Sequence, residues 1–422
     1  MNSASISPSP SSSPSGVATP AREGAPRPRL AVVVSHPIQY YSPWFRHLAD
    51  HSGMEIKVFY LWDFGVKETR DITFGTSFTW DIPLLDGYSH CFLPNRSQKP
   101  GTHHFRGLDN PGADKEIAAW KPDAVLLFGY NYATHLGLIL SQRLRNVPFL
   151  FRGDSHELFP ARGWKPGVSR FLRRIVFQRF GTFLATGQAN RDYFLRSGVI
   201  DRQIHIVPHC VDNDRFQSGA EDAHRAAAEW KKELGIPDGA PVVLFAGKFE
   251  EKKRPLDLLN AFLRLEPSDS SATAPVLLFV GNGNLESSLR AAAAEREGKT
   301  IFFAPFQNQS QMPRTYAAGD LVVLPSFGRG ETWGLALNEA MNLGKPVIAS
   351  SHVGSGPDLV IDGETGWLFP AGDVDALEKR LNQALSNNTQ LRAMGEKARQ
   401  HIAGFSYECA TRALAGAMRG IL

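Results

Sequence analysis

The chain has 422 residues, of which 42% are hydrophobic and 21% charged, and this composition is typical of a globular protein. The 46 basic and 42 acidic residues nearly balance and leave a formal net charge of +4, so no nucleic-acid partner is expected. The widely spaced cysteines Cys91, Cys210 and Cys409 argue against a zinc ribbon, an iron–sulfur cluster or a disulfide framework, and fit a reducing cytoplasm. No apolar run approaches the roughly 18 residues of a membrane-spanning helix.

The first 28 residues contain eight serines and six prolines but no apolar core of the kind found in secretory signals. Segments with so little apolar surface cannot offset the entropy lost on folding. Residues 1–28 are therefore predicted to form a disordered tail.

Beyond this tail, short apolar runs alternate with longer segments of helical pattern. In the first half the runs are Leu30–Val34, Glu55–Tyr60, Ala124–Phe128, Val147–Phe151, Thr182–Thr186 and Ile204–Pro208. In the second half they are Val242–Ala246, Val276–Val280, Thr300–Phe303, Leu321–Pro325, Pro346–Ser350 and Trp367–Phe369. Continuous apolar strands are typical of parallel sheets covered on both faces. The pattern predicts an α/β protein of two doubly wound, Rossmann-like domains that face each other across a cleft.

The predicted domains are an N-terminal one over residues 29–213 and a C-terminal one over residues 241–404. Between them lies a polar linker, residues 214–240, and residues 405–422 form a last helix that could cross back to the first domain. Ligands of open α/β sheets bind outside the carboxyl ends of the strands, so the cleft is the expected site. The long segment Trp62–Ala118 shows little regular pattern and is expected to line or cover that cleft.

The segment Leu321–Ser350 holds two glutamates at a defined spacing. Glu331 is predicted at the mouth of a helix over Thr332–Leu343, and Glu339 follows about 12 Å further along its axis. The N–H groups at the start of this helix would form an anion site; they belong to Thr332, Trp333 and Gly334. A capped helix with two solvated acids is the alternative interpretation.

This segment resembles the E-x7-E region of the family-4 retaining glycosyltransferases, which have the GT-B fold. The residues that fit the family pattern in order are Pro325, Ser326, Glu331, Trp333, Gly334, Glu339, Ala340, Met341, Gly344, Pro346, Val347, Ile348 and Ala349. Thr332 stands where the family usually has Gly or Ser. The flanking segments Val243–Phe262, Val280–Asn284, Gly354–Val360, Asp362–Phe369 and Ala371–Ala376 follow in the family's order.

The resemblance implies a retaining, hexosyltransferase-type enzyme that moves a sugar from a nucleoside-diphosphate sugar to an acceptor hydroxyl. Members often act in polysaccharide, glycolipid or lipid-linked glycan synthesis, so a glycan or lipid-linked acceptor is expected. In the C-terminal donor domain, Glu339 would hold the ribose and Glu331 the hydroxyls of the donor sugar.

The resemblance also implies a diphosphate site, formed by Lys248, after Gly247, and by Lys253. Cations there stabilise charge on the leaving group, although a basic run can also be a merely solvated face. No cofactor is expected. No metal is expected either, because no DxD motif sits at a suitable strand end; the run Asp212–Asp214 falls at the domain boundary, where it is better interpreted as a hinge.

The N-terminal half would bind the acceptor. His36 and Gln39 follow the first strand where the family often has a Gly-Gly pair, and they could contact sugar hydroxyls or only order the loop. After a later strand come Arg152, Asp154 and His156. Family members often have a histidine here near the reacting sugar, and both Asp154 and His156 remain candidates for that catalytic position.

Residues 162–180 contain six basic residues and no acid, interleaved with apolar ones. This pattern predicts either a peripheral helix attracted to anionic lipid or an ordinary surface helix packed on the first sheet. The expected location is the cytoplasm, with possible contact at the inner face of the membrane. The alternative functions are a GT-B sugar nucleotide 2-epimerase and a catalytically degenerate nucleotide-sugar binding protein.

Overall fold

The computed structural model describes residues 26–66, 69–71, 76–78, 80–159, 165–265 and 274–421. The predicted tail up to residue 25 lies outside the described residues. The strands are β1 (Arg29–Val34), β2 (Glu55–Tyr60), β3 (Thr69–Asp71), β4 (Thr76–Phe78), β5 (Ser89–Phe92), β6 (Ala124–Phe128), β7 (Phe149–Gly153), β8 (Thr182–Ala185), β9 (Ile204–Ile206), β10 (Val242–Ala246), β11 (Val276–Val280), β12 (Ile301–Ala304), β13 (Leu321–Leu324), β14 (Val347–Ser350) and β15 (Gly366–Phe369).

The helices alternate with these strands along both halves of the chain. They are α1 (Ser42–His51), α2 (Ala113–Ala119), α3 (Ala133–Ile139), α4 (Lys165–Phe177), α5 (Gln188–Arg196), α6 (Asn213–Gln217), α7 (Ala220–Glu233), α8 (Pro255–Leu263), α9 (Glu286–Ala293), α10 (Met312–Ala317), α11 (Leu335–Asn342), α12 (Gly356–Leu359), α13 (Val374–Leu385), α14 (Asn388–Ile402) and α15 (Tyr407–Arg419). Among the described residues, no helix is both long enough and apolar enough to cross a bilayer.

Two parallel sheets confirm the predicted fold class. The first has the strand order β5-β2-β1-β6-β7-β8-β9, and the second the order β12-β11-β10-β13-β14-β15. In each sheet the order reverses beside the first strand of its domain, as in doubly wound folds. All twelve predicted runs contribute a strand.

The strands read as continuous apolar runs because both faces of each sheet are covered. On β10, Val242 and Leu244 belong to one buried cluster, while Val243 and Phe245 belong to the cluster on the opposite face. Strands with one solvated face would instead alternate apolar and polar residues.

The segment Trp62–Ala118 is more regular than the sequence indicates. It contains the antiparallel pair β3–β4, most of α2, and the strand β5, which pairs with β2 at the edge of the first sheet. The side chains of β5 are only partly covered, and half of its four residues are polar. The strand therefore lacks the apolar run by which the other strands are recognised.

The predicted linker 214–240 is largely helical. Ala227 and Trp230 of α7 are buried in the core of the second domain. The last helix, α15, packs instead against α1 and contributes Leu414 and Met418 to the core of the first domain. The chain thus passes between the domains twice, once before α7 and once between α14 and α15.

Candidate active site

A cavity of about 400 Å³ lies between the two domains, at the carboxyl ends of both sheets. Gln39 and Tyr40 follow β1 and Asp154 follows β7, while Gly247 and Gly281 follow β10 and β11 across the cleft. Of the sequence-predicted site residues, ten line this cavity: Gln39, Asp154, Gly247, Lys248, Lys253, Glu331, Thr332, Trp333, Gly334 and Glu339. His36, Arg152 and His156 are not among the residues that line it.

The helix of the two-glutamate segment begins at Leu335, three residues later than predicted. Its N-cap, Gly334, has a φ of 97°, and a Cβ there would approach side-chain carbons of Leu324 and Val353 to 2.8 and 2.9 Å. Only glycine adopts this conformation readily, so the left-handed residue ends the loop and starts the helix. Thr332 and Trp333 lie in that loop. The N–H groups without intrahelical partners are those of the first turn, which begins with Leu335 and Ala336, and both residues line the cavity.

The carboxylate of Glu331 is held from two sides. The hydroxyl of Ser326 donates to it over 2.8 Å, and the ammonium of Lys253 forms an ion pair with the same oxygen. Both partners of the pair are largely covered, so their attraction is less screened than on an open surface. The ion pair thus connects Lys253, which was predicted to bind the diphosphate, with Glu331, which was predicted to bind the sugar hydroxyls.

Glu339 lies on α11, where its side chain reaches the cavity beside Tyr316. Burial raises the pKa of Glu339, and both a hydrogen bond from Tyr316 and the charge of Arg215 oppose that rise. The guanidinium of Arg215 is itself fixed by the backbone and side-chain oxygens of Gln309, at 3.1 and 3.0 Å. The carboxylate of Glu339 can accept hydrogen bonds from two neighbouring hydroxyls.

A tight turn presents three lysines to the cavity. Lys248, Lys252 and Lys253 all line it, although the sequence prediction assigned only the first and the last of them to the site. A one-turn 3-10 helix, Glu251–Lys253, is followed by Arg254 with a φ of 52°, which is uncommon for a residue other than glycine. Lys252 pairs with Glu250 at 3.2 Å and Lys253 with Glu331, so a di- or polyanionic group here would share these ammonium groups with carboxylates.

Asp154 and His156 differ in position. The carboxylate of Asp154 lines the cavity and accepts from the hydroxyl of Thr332 in the other domain over 2.7 Å. His156 is buried, with Nδ1 3.2 Å from the backbone N–H of Leu158 and Nε2 3.0 Å from the carbonyl oxygen of Glu331. This arrangement fixes a neutral tautomer with its proton on Nε2, and burial lowers the pKa of His156.

Two of the acceptor-side candidates are occupied elsewhere. Arg152 is only 1% exposed; it donates to the carbonyl oxygen of Val207 over 2.9 Å and stacks on Trp44. His36 is packed edge-on against Trp62 and Phe64, and burial lowers its pKa to about 4. Both residues thus support the first domain, while Gln39 stays at the cavity.

Further lining residues were not predicted, among them Tyr40, Trp80, His209 and Tyr316. Tyr40 adjoins the predicted loop residue Gln39, so the position of that loop was the available signal. Trp80 falls within the long segment that was expected to line the cleft. His209 lies beside the run Asp212–Asp214, which was interpreted as a hinge and not as part of the site, and Tyr316 carries no spacing or motif that distinguishes it from a core residue.

Away from the cavity, α4 exposes apolar side chains. Phe171, Leu172 and Ile175 are 65%, 56% and 51% exposed, and the neighbouring Arg170 and Arg174 are exposed as well. The opposite side of the helix is anchored, since Phe177 belongs to the core of the first domain and Arg173 pairs with Glu157 at 3.1 Å. Residues 162–164 of the predicted basic segment lie outside the described part of the chain.

Comparison of the sequence with known families and proteins gives consistent matches. The family described as "Glycosyl transferases group 1" matches residues 226–401. A D-inositol 3-phosphate glycosyltransferase of Nocardia farcinica is 32% identical over 210 residues, 49% of this chain and 45% of that relative. One of the same name from Rhodococcus jostii is 30% identical over 430 residues, 93% of this chain and 89% of that relative. The match to the Rhodococcus jostii protein is unusually long; in the other matches, the chain spans about half the length of the curated relatives.

Solved structures share the two-domain fold. Anabaena HepE in complex with UDP superposes with a TM-score of 0.69 at 15% identity, covering 93% of this chain and 100% of that one. A glycosyltransferase of Rickettsia africae gives a TM-score of 0.70 at 16% identity, covering 94% and 98%. At these identities the likeness is one of fold.

Proposed function

The chain belongs to the group 1 glycosyltransferases, and from that membership we propose that it transfers a sugar from a nucleoside-diphosphate sugar to an acceptor hydroxyl, with retention of the anomeric configuration. The observation that carries the proposal is the interdomain cavity, where Glu331, Glu339 and three lysines converge on one space. Binding of the ribose, the sugar hydroxyls and the diphosphate of one donor, as the resemblance implies, requires these groups to lie close together. We expect the acceptor to belong to polysaccharide, glycolipid or lipid-linked glycan synthesis.

The donor would lie along the second domain. Glu339 would accept from the ribose hydroxyls, and Lys248, Lys252 and Lys253 would neutralise the diphosphate. Glu331 would accept from hydroxyls of the transferred sugar. Because Lys253 already pairs with Glu331, a bound diphosphate would share that ammonium with the carboxylate rather than meet it free.

During transfer, the acceptor oxygen forms a bond to the anomeric carbon on the face from which the diphosphate departs. The bond from that carbon to the phosphate oxygen breaks, and its electron pair leaves with the diphosphate, which takes the acceptor's proton. Asp154 is our candidate for the side chain near the reacting sugar, since it lines the cavity and both ring nitrogens of His156 are engaged. Domain contacts such as Asp154–Thr332 would limit water access during this step.

Lys248, Lys252 and Lys253 support a metal-independent mechanism, because fixed cations can stabilise charge on a leaving diphosphate as a divalent ion does. We propose a cytoplasmic enzyme without a resident cofactor. UDP is the first nucleotide to test, since UDP and UDP-glucose are bound in structures of Anabaena HepE, a protein of the same fold.

The test is thermal unfolding with UDP, GDP, ADP, CDP and dTDP, with and without EDTA. A ligand at 100 times its dissociation constant stabilises a protein by about 2.7 kcal/mol, which raises the unfolding midpoint measurably. We expect a shift with one base that EDTA does not change. No shift with any of them would contradict the proposed donor site.

Two variants locate the binding site. Glu339→Gln and Lys253→Ala should each reduce the nucleotide-induced shift, because they remove a ribose acceptor and a diphosphate cation. Lys397→Ala is the matched control, since Lys397 lies on the surface and pairs with the exposed Glu364. Equal shifts in all three variants would overturn the site assignment.

We further propose that α4 contacts anionic membrane lipid. Exposed apolar side chains between exposed arginines fit the boundary between headgroups and acyl chains. Sedimentation with vesicles of phosphatidylcholine and phosphatidylglycerol should recover the protein, whereas phosphatidylcholine alone should not. The double variant Phe171→Ser/Leu172→Ser should abolish recovery, while Leu140→Ser, at an exposed leucine outside α4, should preserve it. Equal recovery with both vesicle types would contradict the proposal.

A further inference from the structure

The described residues on the first domain's side of the cavity carry little charge. Its described lining residues are Gln39, Tyr40, Trp80, Asp154 and His209, and none of these five is a lysine or an arginine. His209 is neutral at physiological pH, because burial and the nearby Arg152 lower its pKa well below the usual value. Among these five described residues, the one full charge is therefore the negative charge of Asp154.

The second domain's wall has the opposite character. It contributes three lysines from one turn and the opening of helix α11, which suit phosphate groups, together with the carboxylates of Glu331 and Glu339. The two walls thus divide one cavity into a phosphate-binding half and a half in which the fixed charge would repel a phosphate monoester.

Two arginines lie close by, in an adjoining cavity of about 100 Å³, but both are engaged. Arg46 donates to the carbonyl oxygens of Asp86 and Pro83 at 2.9 and 3.1 Å. Arg215 is fixed by Gln309 in the manner described above. Neither is available to the main cavity without loss of those hydrogen bonds.

Trp80 gives this half an aromatic surface, and its neighbours fix its place. Beneath it lies Gly65 with a φ of 83°; a Cβ there would stand 3.2 Å from Cδ1 and Nε1 of the indole. The next residue, Asp81, accepts from the backbone N–H of Ser310 at 3.1 Å and from the hydroxyl of the same serine at 2.5 Å. Asp81 thereby ties Trp80 to the second domain across the cleft.

From this wall we infer that the acceptor enters the cavity as an uncharged ring, a neutral pyranose or cyclitol, with the apolar face of the ring on Trp80. A sugar ring presents C–H groups on its face and hydroxyls at its edge, which an indole and the polar Gln39 and Asp154 complement. The acceptor class so defined excludes phosphate monoesters at the reacting ring. It thus differs from the inositol 3-phosphate after which the similar glycosyltransferases of Nocardia farcinica and Rhodococcus jostii are named.

This inference rests on the proposed transferase function, and the test separates the two. The full chain is saturated with the nucleoside diphosphate that raises its unfolding midpoint, and ring probes are then examined by saturation-transfer NMR. The probes are methyl glucoside, methyl galactoside, myo-inositol, myo-inositol 3-phosphate and linear sorbitol. If no nucleotide binds, the proposed function fails before any probe is added.

We expect a neutral ring probe to bind through its C–H protons and myo-inositol 3-phosphate to bind more weakly than myo-inositol. Trp80→Ala should weaken ring binding about tenfold, and Trp80→Phe should largely restore it. Phe105→Ala is the control, since Phe105 is an exposed aromatic residue that does not line the cavity. Nucleotide binding should be unchanged in all three variants.

Asp81 is a positioning residue in this account. Asp81→Ala should weaken ring binding while Asp81→Asn, which still accepts from Ser310, should rescue it. Tighter binding of the phosphorylated probe than of myo-inositol, no binding of any neutral ring, or an unaffected Trp80→Ala variant would each overturn the inference.

Discussion

At the scale of single residues, burial lowers the pKa of His156 and of His209, the two histidines beside the cavity, and so keeps them uncharged. A third buried histidine, His135, lies in the first domain. His135 is fully buried, and neither of its ring nitrogens has a hydrogen-bond partner among the described residues. Burial lowers its pKa to about 3. A buried polar group without a partner costs on the order of 1–3 kcal/mol, so this site weakens the fold.

The variant His135→Leu should therefore raise the free energy of unfolding at neutral pH by about 1–2 kcal/mol. It should also reduce acid sensitivity. The unfolded chain binds a proton at this histidine near pH 6.5 and the folded one only near 3, so stability is complete above pH 6.5 and falls as the pH drops between those values. Thermal unfolding at pH 7.5 and pH 5 measures both effects. His103→Leu, at an exposed histidine, should change neither.

Asp154 and His156 make a second residue-scale prediction. Asp154→Asn should lower the rate of transfer by roughly 100-fold or more while the nucleotide-induced shift persists. His156→Ala should chiefly destabilise the protein, by about 1 kcal/mol, because it loses hydrogen bonds to Leu158 and Glu331. Initial rates with the donor and unfolding midpoints distinguish the two effects. An inactive but fully stable His156→Ala variant would reverse the assignment.

Sequence position could not separate these neighbours. Arg152 lies within β7 and its guanidinium turns into the core, whereas Asp154 lies just beyond the strand end and reaches the cavity. Although Arg152 and Asp154 are only two residues apart, one side chain supports the core and the other reaches the cavity. Which does which depends on the residue at which β7 ends. The glutamates and lysines of the second domain were predictable because their motif includes the surrounding strand, turn and helix.

At the scale of elements, sequence patterns identified covered strands better than exposed ones. All six strands of the second sheet were predicted because both faces are buried, while β5 was missed because its side chains are only partly covered and Ser89 and His90 interrupt any apolar run. The late start of α11 was missed for another reason. Gly334 was taken for part of the helix, although its left-handed backbone makes it the N-cap.

Helix α5 receives a contact from the other domain. The carboxylate of Asp358 accepts from the backbone N–H of Gln188 at 3.1 and 2.9 Å, at the first residue of that helix. Burial raises the pKa of Asp358 to about 6. The folded protein thus binds this proton more tightly than the unfolded chain, and the group's contribution to stability falls as the pH rises from about 4 to 6.

Removing this contact should therefore have a graded effect. Asp358→Ala should lower the free energy of unfolding by about 1 kcal/mol, as loss of a capping group does. Asp358→Asn keeps an oxygen acceptor without a buried charge, so it should be at least as stable as the wild type above pH 6. Thermal unfolding at pH 4.5 and pH 7.5 is the measurement, and an equal loss in both variants would contradict the capping role.

At the scale of the whole molecule, the last helix belongs to the first domain's core. Leu414 of α15 is fully buried in a cluster with residues of β1 and α1. Leu414→Ala should lower the free energy of unfolding by about 2–5 kcal/mol through the cavity it leaves. Arg412→Ala, at an exposed position of the same helix, is the control. Denaturant unfolding measures both, and a loss below 1 kcal/mol would show that α15 is only loosely attached.

The double passage of the chain restricts how the two halves can move. A single connection would leave both bending and twisting free. The two connections, before α7 and after α14, lie close together, since the side-chain amide of Asn213 donates to the carbonyl oxygen of Ile402 at 3.3 Å, and such a pair favours bending about one line. The cleft would then open by rotation about a single hinge axis that runs through the two connections. A single proteolytic cut in either connection would leave the halves joined but would restore the freedom to twist.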